Sequence, residues 1–204
     1  MNGKLKETIL NPILKGNPIT VLVLGICSSL AVTVELKGAL VMALSVTAVT
    51  GLSSLVCSLL RKTIPNRVRI IIQLVVVALM VILVDQFLKA FEATYPLDKQ
   101  LSVYIGLIIT HCIVMGRIEA FALGNKPIPS FLDGLSNGLG YGLILIIVAF
   151  FRELFGSGTL FGYPVLSALG YVNNGLVILP PMALIILGCI IWVHRSIDKD
   201  LQEN

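Results

Sequence analysis

Six apolar stretches of about 20 residues, separated by short polar segments, constrain this chain more than any other feature of its sequence. They cover residues 18–35, 39–60, 68–90, 101–123, 131–151 and 176–194. A helix of about 20 apolar residues crosses the ~30 Å hydrocarbon core of a bilayer. The sequence therefore predicts an all-α membrane protein with six transmembrane helices, forming a single integral membrane domain over residues 1–204.

The composition favours the membrane class and excludes a soluble domain. Only 13% of the 204 residues are charged, and the mean hydropathy is +0.96, whereas soluble domains carry about twice that charged fraction. The basic residues flank apolar stretches and are not interleaved with aromatic residues, so we expect no nucleic-acid partner. The lipid bilayer is the expected environment of nearly the whole chain.

The distribution of Lys and Arg predicts the orientation in the membrane. Cytoplasmic segments of membrane proteins are enriched in these residues. With six spans and the amino terminus in the cytoplasm, eleven of the fifteen Lys and Arg residues lie on the cytoplasmic side and four on the outer side. We therefore expect a multi-pass protein with both termini in the cytoplasm.

A weak internal symmetry relates the two halves of the chain. GLSS, which begins at Gly51, resembles GLSN, which begins 83 positions later at Gly134, and Cys27 and Cys112 lie 85 positions apart. Three spans per repeat is an odd number, so the second copy is inverted across the membrane, as in many transport proteins. The two predicted three-helix repeats cover about residues 18–90 and 101–194.

Cys27 and Cys112 are the candidate metal ligands. At 1.5 Å per residue, both lie near the bilayer centre in spans one and four, and Gly25 and Gly116 stand close by. We expect broken half-helices there, which a membrane tolerates only beside protein or a cavity. Two thiolates facing each other across a twofold axis are half of a four-thiolate site for zinc or an iron–sulfur cluster.

A cysteine within a membrane span is also a small apolar packing residue. This interpretation suits Cys57 and Cys189, which have no partner at the repeat offset. For Cys27 and Cys112, packing and metal binding both remain open from the residues alone. We expect no disulfide between them.

Asp85 and Asp133 are candidates for a cation path, because ionisable residues within spans are functional candidates. Asp85 lies four residues before Lys89, so a structural ion pair is an equally good interpretation. Asp133 lies three residues after Ser130, an arrangement that also suits a capping box at the start of span five.

Two glutamates lie beside arginines in the sequence. Glu119 follows Arg117 by two positions, and Glu153 directly follows Arg152. We expect these glutamates to be interface residues whose charge the neighbouring arginine compensates.

Five separated blocks of the sequence resemble one family of membrane subunits. The blocks are LGICSSLAVT, RIIIQLVVVALMVILVDQFLKAF, LSVYIGLIITHCIVMGRIEAFA, PIPSFLDGLSNGLGYG and FFRELFGSGTLFG. Over nearly the whole chain they resemble the D subunits of the sodium-pumping NADH:quinone oxidoreductases of bacterial inner membranes. A homologous subunit of the Rnf ferredoxin:NAD oxidoreductase complex is the near alternative.

The resemblance implies a non-autonomous subunit of a six-subunit translocase that couples electron transfer from NADH to ubiquinone to Na⁺ export. It implies an intramembrane iron–sulfur cluster of the 2Fe-2S type, shared with the paralogous E subunit, each subunit giving two cysteines from half-helices. By motif, the ligands in this chain are Cys27 in LGIC and Cys112 in THC. Electrons pass from an NADH-oxidising subunit to a flavin-bearing subunit.

One position departs from the family pattern, because His111 stands where Asn is expected before the second cysteine. We expect His111 to be a packed neutral residue and not a ligand; it either hydrogen-bonds a cysteine sulfur and tunes the site, or simply replaces a polar side chain. Gly25 and Gly116 are also expected to lie around the site. The sequence has no dinucleotide-binding GxGxxG unit, P-loop, HExxH or CxxC motif. We therefore expect the chain to bind neither NADH nor flavin by itself.

A metal-free cation carrier is the second hypothesis. An inverted repeat, broken helices and membrane carboxylates also suit a carrier, in which the cysteines are packing residues. Iron in the purified complex discriminates between the two hypotheses.

Overall fold

The computed structural model describes residues 16–63, 65, 67–92, 106–160, 163–164 and 175–197. The predictions for both termini, for the connection at residues 94–100 and for the start of span four at residues 101–105 lie outside these residues.

The described chain contains three short and four long α-helices. Its first three helices are α1 (Ile26–Val32), α2 (Leu36–Leu60) and α3 (Arg69–Glu92). A 3₁₀ turn (Leu107–Thr110) precedes α4 (Cys112–Arg117), which continues as a π-helical turn (Ile118–Ala122). Helix α5 (Pro127–Arg152) also continues as a π-helical turn (Glu153–Ser157), and α6 (Gly175–Ile178) and α7 (Pro180–Ile197) follow. Two short antiparallel strands, β1 (Thr159–Leu160) and β2 (Tyr163–Pro164), depart from the all-α prediction.

Four helices of the described chain are long and apolar enough to cross a membrane. They are α2, residues 69–90 of α3, α5 with its π-helical turn, and α7. Predicted spans one and four contain short segments instead, namely α1 and the 3₁₀ turn followed by α4. The prediction of a helical membrane protein is confirmed, and the arrangement as two three-helix repeats stays a prediction.

The boundaries of spans two and five differ from those predicted. Span two begins before the predicted residue 39, because the Glu153 carboxylate accepts a hydrogen bond from the Leu36 N–H (2.7 Å) and α2 begins there. Helix α5 begins at Pro127, since proline suits the first helical position, which needs no N–H donor. The capping box at Ser130 is therefore wrong, and its hydroxyl donates to the Lys126 carbonyl (2.9 Å).

Helices α2 and α5 form the closest helix contact of the described fold. Gly134, Gly138 and Gly142 follow one another by one turn along α5. A Cβ atom at Gly138 would lie 2.6 Å from the Cα of Thr47, and one at Gly134 would lie 2.8 Å from the carbonyl oxygen of Thr50. Small residues let two backbones approach this closely, which is a principal source of helix association in membranes.

The partners along this contact show that α2 and α5 run antiparallel. Gly142 meets Ala43, Gly138 meets Thr47, and Gly134 meets Gly51. Residue numbers therefore increase along one helix in the direction in which they decrease along the other. Gly51 and Gly134 are equivalent positions of the predicted repeats, and a Cβ atom at Gly134 would lie 3.0 Å from the Cα of Gly51. Contact between equivalent positions on antiparallel helices supports a twofold axis in the membrane plane.

Helices α3 and α7 expose broad apolar faces. The exposed large apolar residues on these two helices are Ile70, Ile71, Val75, Leu79, Ile82, Leu83, Phe87, Leu184, Ile185, Trp192, Val193 and Ile197. Such faces suit contact with lipid chains or with neighbouring membrane subunits.

We predict that Gly138→Ala destabilises the protein, because the added methyl group meets the backbone of Thr47 and overpacking of this kind costs about 1–3 kcal/mol. Gly188→Ala in α7 is the matched control, since nothing lies within 4 Å of a Cβ atom there. Thermal denaturation of the purified complex checks the prediction. Equal melting temperatures for the two variants would show that the close contact does not matter.

Candidate functional site

Cys27 and Cys112 each lie in the first turn of a short helix. Cys27 is the second residue of α1, and Cys112 is the first residue of α4. Both are free cysteines on the surface of the single chain. Metals bind the thiolate form of cysteine.

The other two cysteines differ from each other. Cys57 is fully buried within α2, as the packing interpretation expects. Cys189 is exposed on α7, so packing within the described chain does not explain it.

The backbone breaks directly before α1, at Gly25. This residue is in the left-handed conformation (φ +81°), which favours glycine. A Cβ atom here would lie 2.8 Å from Cδ1 of Ile113 and 3.1 Å from Cε1 of His111. Val23 also has a positive φ (55°), an uncommon conformation for a β-branched residue. Gly25 therefore lets the start of α1 pack directly against the start of α4.

The second break lies before α4, at His111, and not after it. His111 is extended (φ −68°, ψ 122°) and separates the 3₁₀ turn from α4. The break expected near Gly116 is absent, because the chain stays helical to Ala122 and only changes to a π-helical turn after Arg117. The charge of Arg117 is compensated by Asp133, so the helix can continue. A Cβ atom at Gly116 would lie 3.4 Å from Cδ1 of Leu24.

The hydroxyl group of Ser28 joins the two breaks. The Ile113 N–H donates to His111 Nδ1 (3.3 Å), which assigns the proton to Nε2. That Nε2–H donates to Ser28 Oγ (2.7 Å), and the Tyr141 hydroxyl donates to the same oxygen (2.7 Å). The Ser28 hydroxyl itself donates to the Gly25 carbonyl (2.9 Å). One donor and two acceptor positions of Ser28 are thus all in use.

His111 is 3% exposed and both of its nitrogens bind protein groups. Its ring also meets the Tyr141 ring edge to face, with 5.1 Å between the centroids. This geometry agrees with the expected packed neutral histidine. Neither nitrogen is left to bind a metal or a cysteine sulfur.

Asp133 forms a buried ion pair between α5 and α4. Arg117 donates from Nε to Oδ2 (3.0 Å) and from Nη2 to Oδ1 (2.5 Å), a bidentate arrangement. Asn137 also donates to Oδ1 (3.2 Å). The side chains of Asp133 and Arg117 are 4% and 19% exposed, so water screens this pair little.

Two buried oxygens at the contact of α2 and α5 have no hydrogen-bond partner in the described chain. They are Oδ1 of Asn137 and the hydroxyl of Ser54. Ser54 faces α5, since its hydroxyl lies 3.1 Å from where a Cβ atom of Gly134 would be. Both oxygens are chemically suited to a hard cation or to water.

Asp85 pairs with Lys89, one turn away on α3, at 2.6 Å. The Asp85 side chain is 20% exposed and that of Lys89 is 47% exposed. Asp85 and Asp133 therefore belong to separate ion pairs on different helices. The predicted pairing of Asp85 is present, and it leaves the cation role untested.

The glutamates pair with different partners from those predicted. Glu119 accepts hydrogen bonds from Arg69 and from Gln73 (2.8 Å), both on α3, and not from Arg117. Glu153 accepts from the Leu36 N–H and not from Arg152. Contacts between helices that are distant in sequence decide these partners, and adjacency along the chain did not indicate them.

Sequence reasoning also missed Ser28 and Tyr141. Ser28 directly follows Cys27, and its sequence context indicates only a weakened helix. Tyr141 lies within the glycine-rich block of α5, where its fully buried ring needs a partner for its hydroxyl. A buried tyrosine on a small-residue face is the one signal that could have indicated a polar contact.

The donor set determines what the site can hold. In the part of the chain that the structure describes, no three His, Cys, Asp or Glu side chains lie close enough together to bind a metal ion. Two exposed thiols at the starts of adjacent helices fit half of a thiolate site. The remaining ligands would have to come from another chain.

We predict that Ser28→Ala is more destabilising than Tyr141→Phe. The first change leaves His111 Nε2–H and the Tyr141 hydroxyl buried without an acceptor, at a cost of about 1–3 kcal/mol for each lost partner. The second removes one donor and leaves Ser28 two hydrogen bonds. Thermal denaturation of the purified complex ranks the variants, and the reverse order would contradict the assigned network.

Comparison with known proteins gives matches over almost the whole chain. A family model described as "Rnf-Nqr subunit, membrane protein" matches residues 5–191. A Haemophilus influenzae protein, named as the D subunit of a Na(+)-translocating NADH-quinone reductase, is 56% identical over 210 residues, covering 100% of both chains. Proteins of the same name from Aeromonas hydrophila and Psychromonas ingrahamii are 55% and 52% identical, covering 98% and 99% of this chain and 97% of each relative.

Proposed function

The chain belongs to the Rnf-Nqr family of membrane protein subunits, and from that premise we propose that it is the D subunit of a sodium-translocating NADH:quinone reductase. The resemblance found in the sequence is confirmed by the family match over residues 5–191. Relatives at 52–56% identity over nearly their full length carry this name. These names favour the sodium-translocating reductase over the Rnf complex.

Within that complex, we propose that Cys27 and Cys112 supply two of the four thiolates of a 2Fe-2S cluster in the membrane. The observation that carries this proposal is the hydrogen bond of 2.7 Å between Ser28 and His111, because these residues directly adjoin the two cysteines. It holds the starts of α1 and α4 together. Both thiols are exposed, as ligands to a group shared with a second chain must be.

The predicted inverted repeat is consistent with the same proposal. Ser28 and His111 lie 83 positions apart, the same spacing that relates the equivalent glycines Gly51 and Gly134. Both pairs are in contact. Cys27 and Cys112 each adjoin one member of the Ser28–His111 contact, one in each predicted repeat.

In this proposal, the role of the chain is to hold and orient the two thiolates. When bound, the cluster supplies one-electron transfer between an NADH-oxidising subunit and a flavin-bearing subunit on the way to ubiquinone. Gly25, Ser28 and Tyr141 fix the start of α1 through the hydrogen bonds of the Ser28 hydroxyl. The paralogous E subunit would supply the other two cysteines.

We propose that Asp133 takes part in Na⁺ handling. Asn137, which donates to this carboxylate, carries an unpartnered buried oxygen, as does Ser54 beside Gly134, and Na⁺ prefers oxygen ligands. Arg117 now neutralises this carboxylate and lies on the same helix as Cys112. A displacement of α4 would therefore change the strength of the Arg117–Asp133 ion pair. In this way a change of charge at the Cys112 site would alter the affinity of the Asp133 carboxylate for Na⁺.

Asp85 is the second carboxylate that we propose for the cation path. It lies toward one end of α3 and is paired with a partly exposed lysine. The proposed location of the whole chain is the bacterial inner membrane, with both termini cytoplasmic, as the distribution of Lys and Arg indicates.

Replacing either candidate ligand should remove iron from the complex. With the complex co-expressed and purified, Cys27→Ala and Cys112→Ala are each expected to abolish the cluster signal in electron paramagnetic resonance and to lower iron and sulfide, since three thiolates hold a cluster poorly. Cys57→Ala and Cys189→Ala are the matched controls and should keep the full content. Full iron in the first two variants would exclude the ligand assignment, and an iron-free unmodified complex would favour the metal-free carrier.

Variants of Asp133 and Asp85 are expected to differ in the Na⁺ concentration that they need for turnover. Asp133→Asn is expected to raise the Na⁺ concentration for half-maximal turnover by roughly tenfold, equivalent to about 1.4 kcal/mol of lost Na⁺ binding. Asp85→Ala should raise it less, because Asp85 is more exposed. Turnover of the purified complex at graded Na⁺ tests both. Poor assembly with an unchanged Na⁺ requirement would instead assign the residue to a structural ion pair.

A further inference from the structure

Arg152 is the largest fully buried side chain of the described chain, with 1% of its surface exposed. A buried guanidinium is costly unless its donors are paired. Arg152 makes four hydrogen bonds, and their acceptors lie on two other segments of the chain. A residue kept at such a cost is expected to hold parts of the structure in place.

One set of its bonds ends at the carboxyl end of α1. Nη1 donates to Thr33 Oγ1 (2.5 Å) and to the Leu30 carbonyl (3.1 Å). The Thr33 hydroxyl in turn donates to the Ser29 carbonyl (2.5 Å). The last carbonyls of a helix lack partners within the helix, and a positive charge beside them is favourable.

The other set ends at the carboxyl end of α6. Nε donates to the Val177 carbonyl (3.4 Å) and Nη2 to the Ile178 carbonyl (2.5 Å). Glu153, the next residue, accepts from the first N–H of α2. Arg152 and Glu153 therefore bind the two sides of the corner between α1 and α2, at residues 33–35.

Helix α1 has seven residues, too few to be stable without contacts to the rest of the protein. Its first turn is held by Ser28, through His111 and Tyr141. Its last turn is held by Arg152. The position of Cys27 thus depends on a contact at each end of α1.

We propose that Arg152, acting through Thr33 and Leu30, is a positioning residue that fixes α1 and with it the Cys27 thiol. The part of this inference that concerns the cluster rests on the proposed function. The part that concerns α1 does not, because it follows from the hydrogen bonds alone.

Hydrogen–deuterium exchange of the purified complex tests the contact directly. Arg152→Lys keeps the charge but has fewer donors, and Thr33→Val keeps the shape but removes the acceptor. Both should raise the exchange rate of amides in residues 26–33 by about tenfold or more. Exchange in residues 112–117 should stay unchanged. Glu153→Gln is the matched control, because its amide oxygen still accepts from Leu36 and does not touch α1.

The cluster supplies the second measurement. At unchanged iron content, Arg152→Lys should shift the midpoint potential and the electron paramagnetic resonance spectrum of the centre, whereas Glu153→Gln should not. The inference would be overturned if amides in residues 26–33 of Thr33→Val exchanged at the rate of the unmodified protein. An equal rise of the exchange rate in every helix would also overturn it. An iron-free unmodified complex would overturn the proposed function and leave the exchange result to decide the role of Arg152.

Discussion

The close antiparallel contact between α2 and α5 is the constraint on which the rest of the described structure depends. Glycine on α5 lets its backbone come within contact distance of Thr47, Thr50 and Gly51, and in a membrane such contact replaces the hydrophobic driving force of a soluble core. The contact also fixes the direction in which α5 presents its polar groups. Tyr141, between two glycines of this face, reaches the hydroxyl of Ser28. The starts of α1 and α4, with their cysteines, are thereby held against α5.

Pairing of buried polar groups is the second theme, because backbone or charge left unpaired in a membrane costs several kcal/mol. The two helix breaks survive since Ser28, His111 and Tyr141 satisfy one another. Asp133 neutralises the charge of Arg117, so the helix that begins at Cys112 can continue past Gly116 and Arg117. The contacts of Ser28 with His111 and Tyr141 join the two predicted repeats. The Arg117–Asp133 ion pair lies within the second repeat. The broken backbone at Gly25 and His111 therefore lies where the two halves meet, which is also where the proposed ligands lie.

Much of the fold could be predicted from the sequence, because apolar length and the spacing of glycines are local properties. Long apolar stretches predicted six spans, four of which are long helices in the described chain, and the glycines near Cys27 and Cys112 indicated breaks there. The sequence could not predict the partners of Glu119 and Glu153 or the position of the second break. It also could not predict the roles of Ser28 and Arg152. Each depends on contacts between segments far apart in sequence. Adjacency in the sequence predicted that Arg117 compensates the charge of Glu119, whereas the structure pairs Arg117 with Asp133.

The most direct test of the account is a density map of the assembled complex at a resolution that shows side chains. The account predicts strong density for an iron–sulfur cluster within bonding distance of the sulfurs of both Cys27 and Cys112, with two further thiolates from a second chain. Ser28 and His111 should lie beside it in hydrogen-bond contact. Both cysteines packed against apolar side chains or lipid, with no metal density between them, would contradict the account.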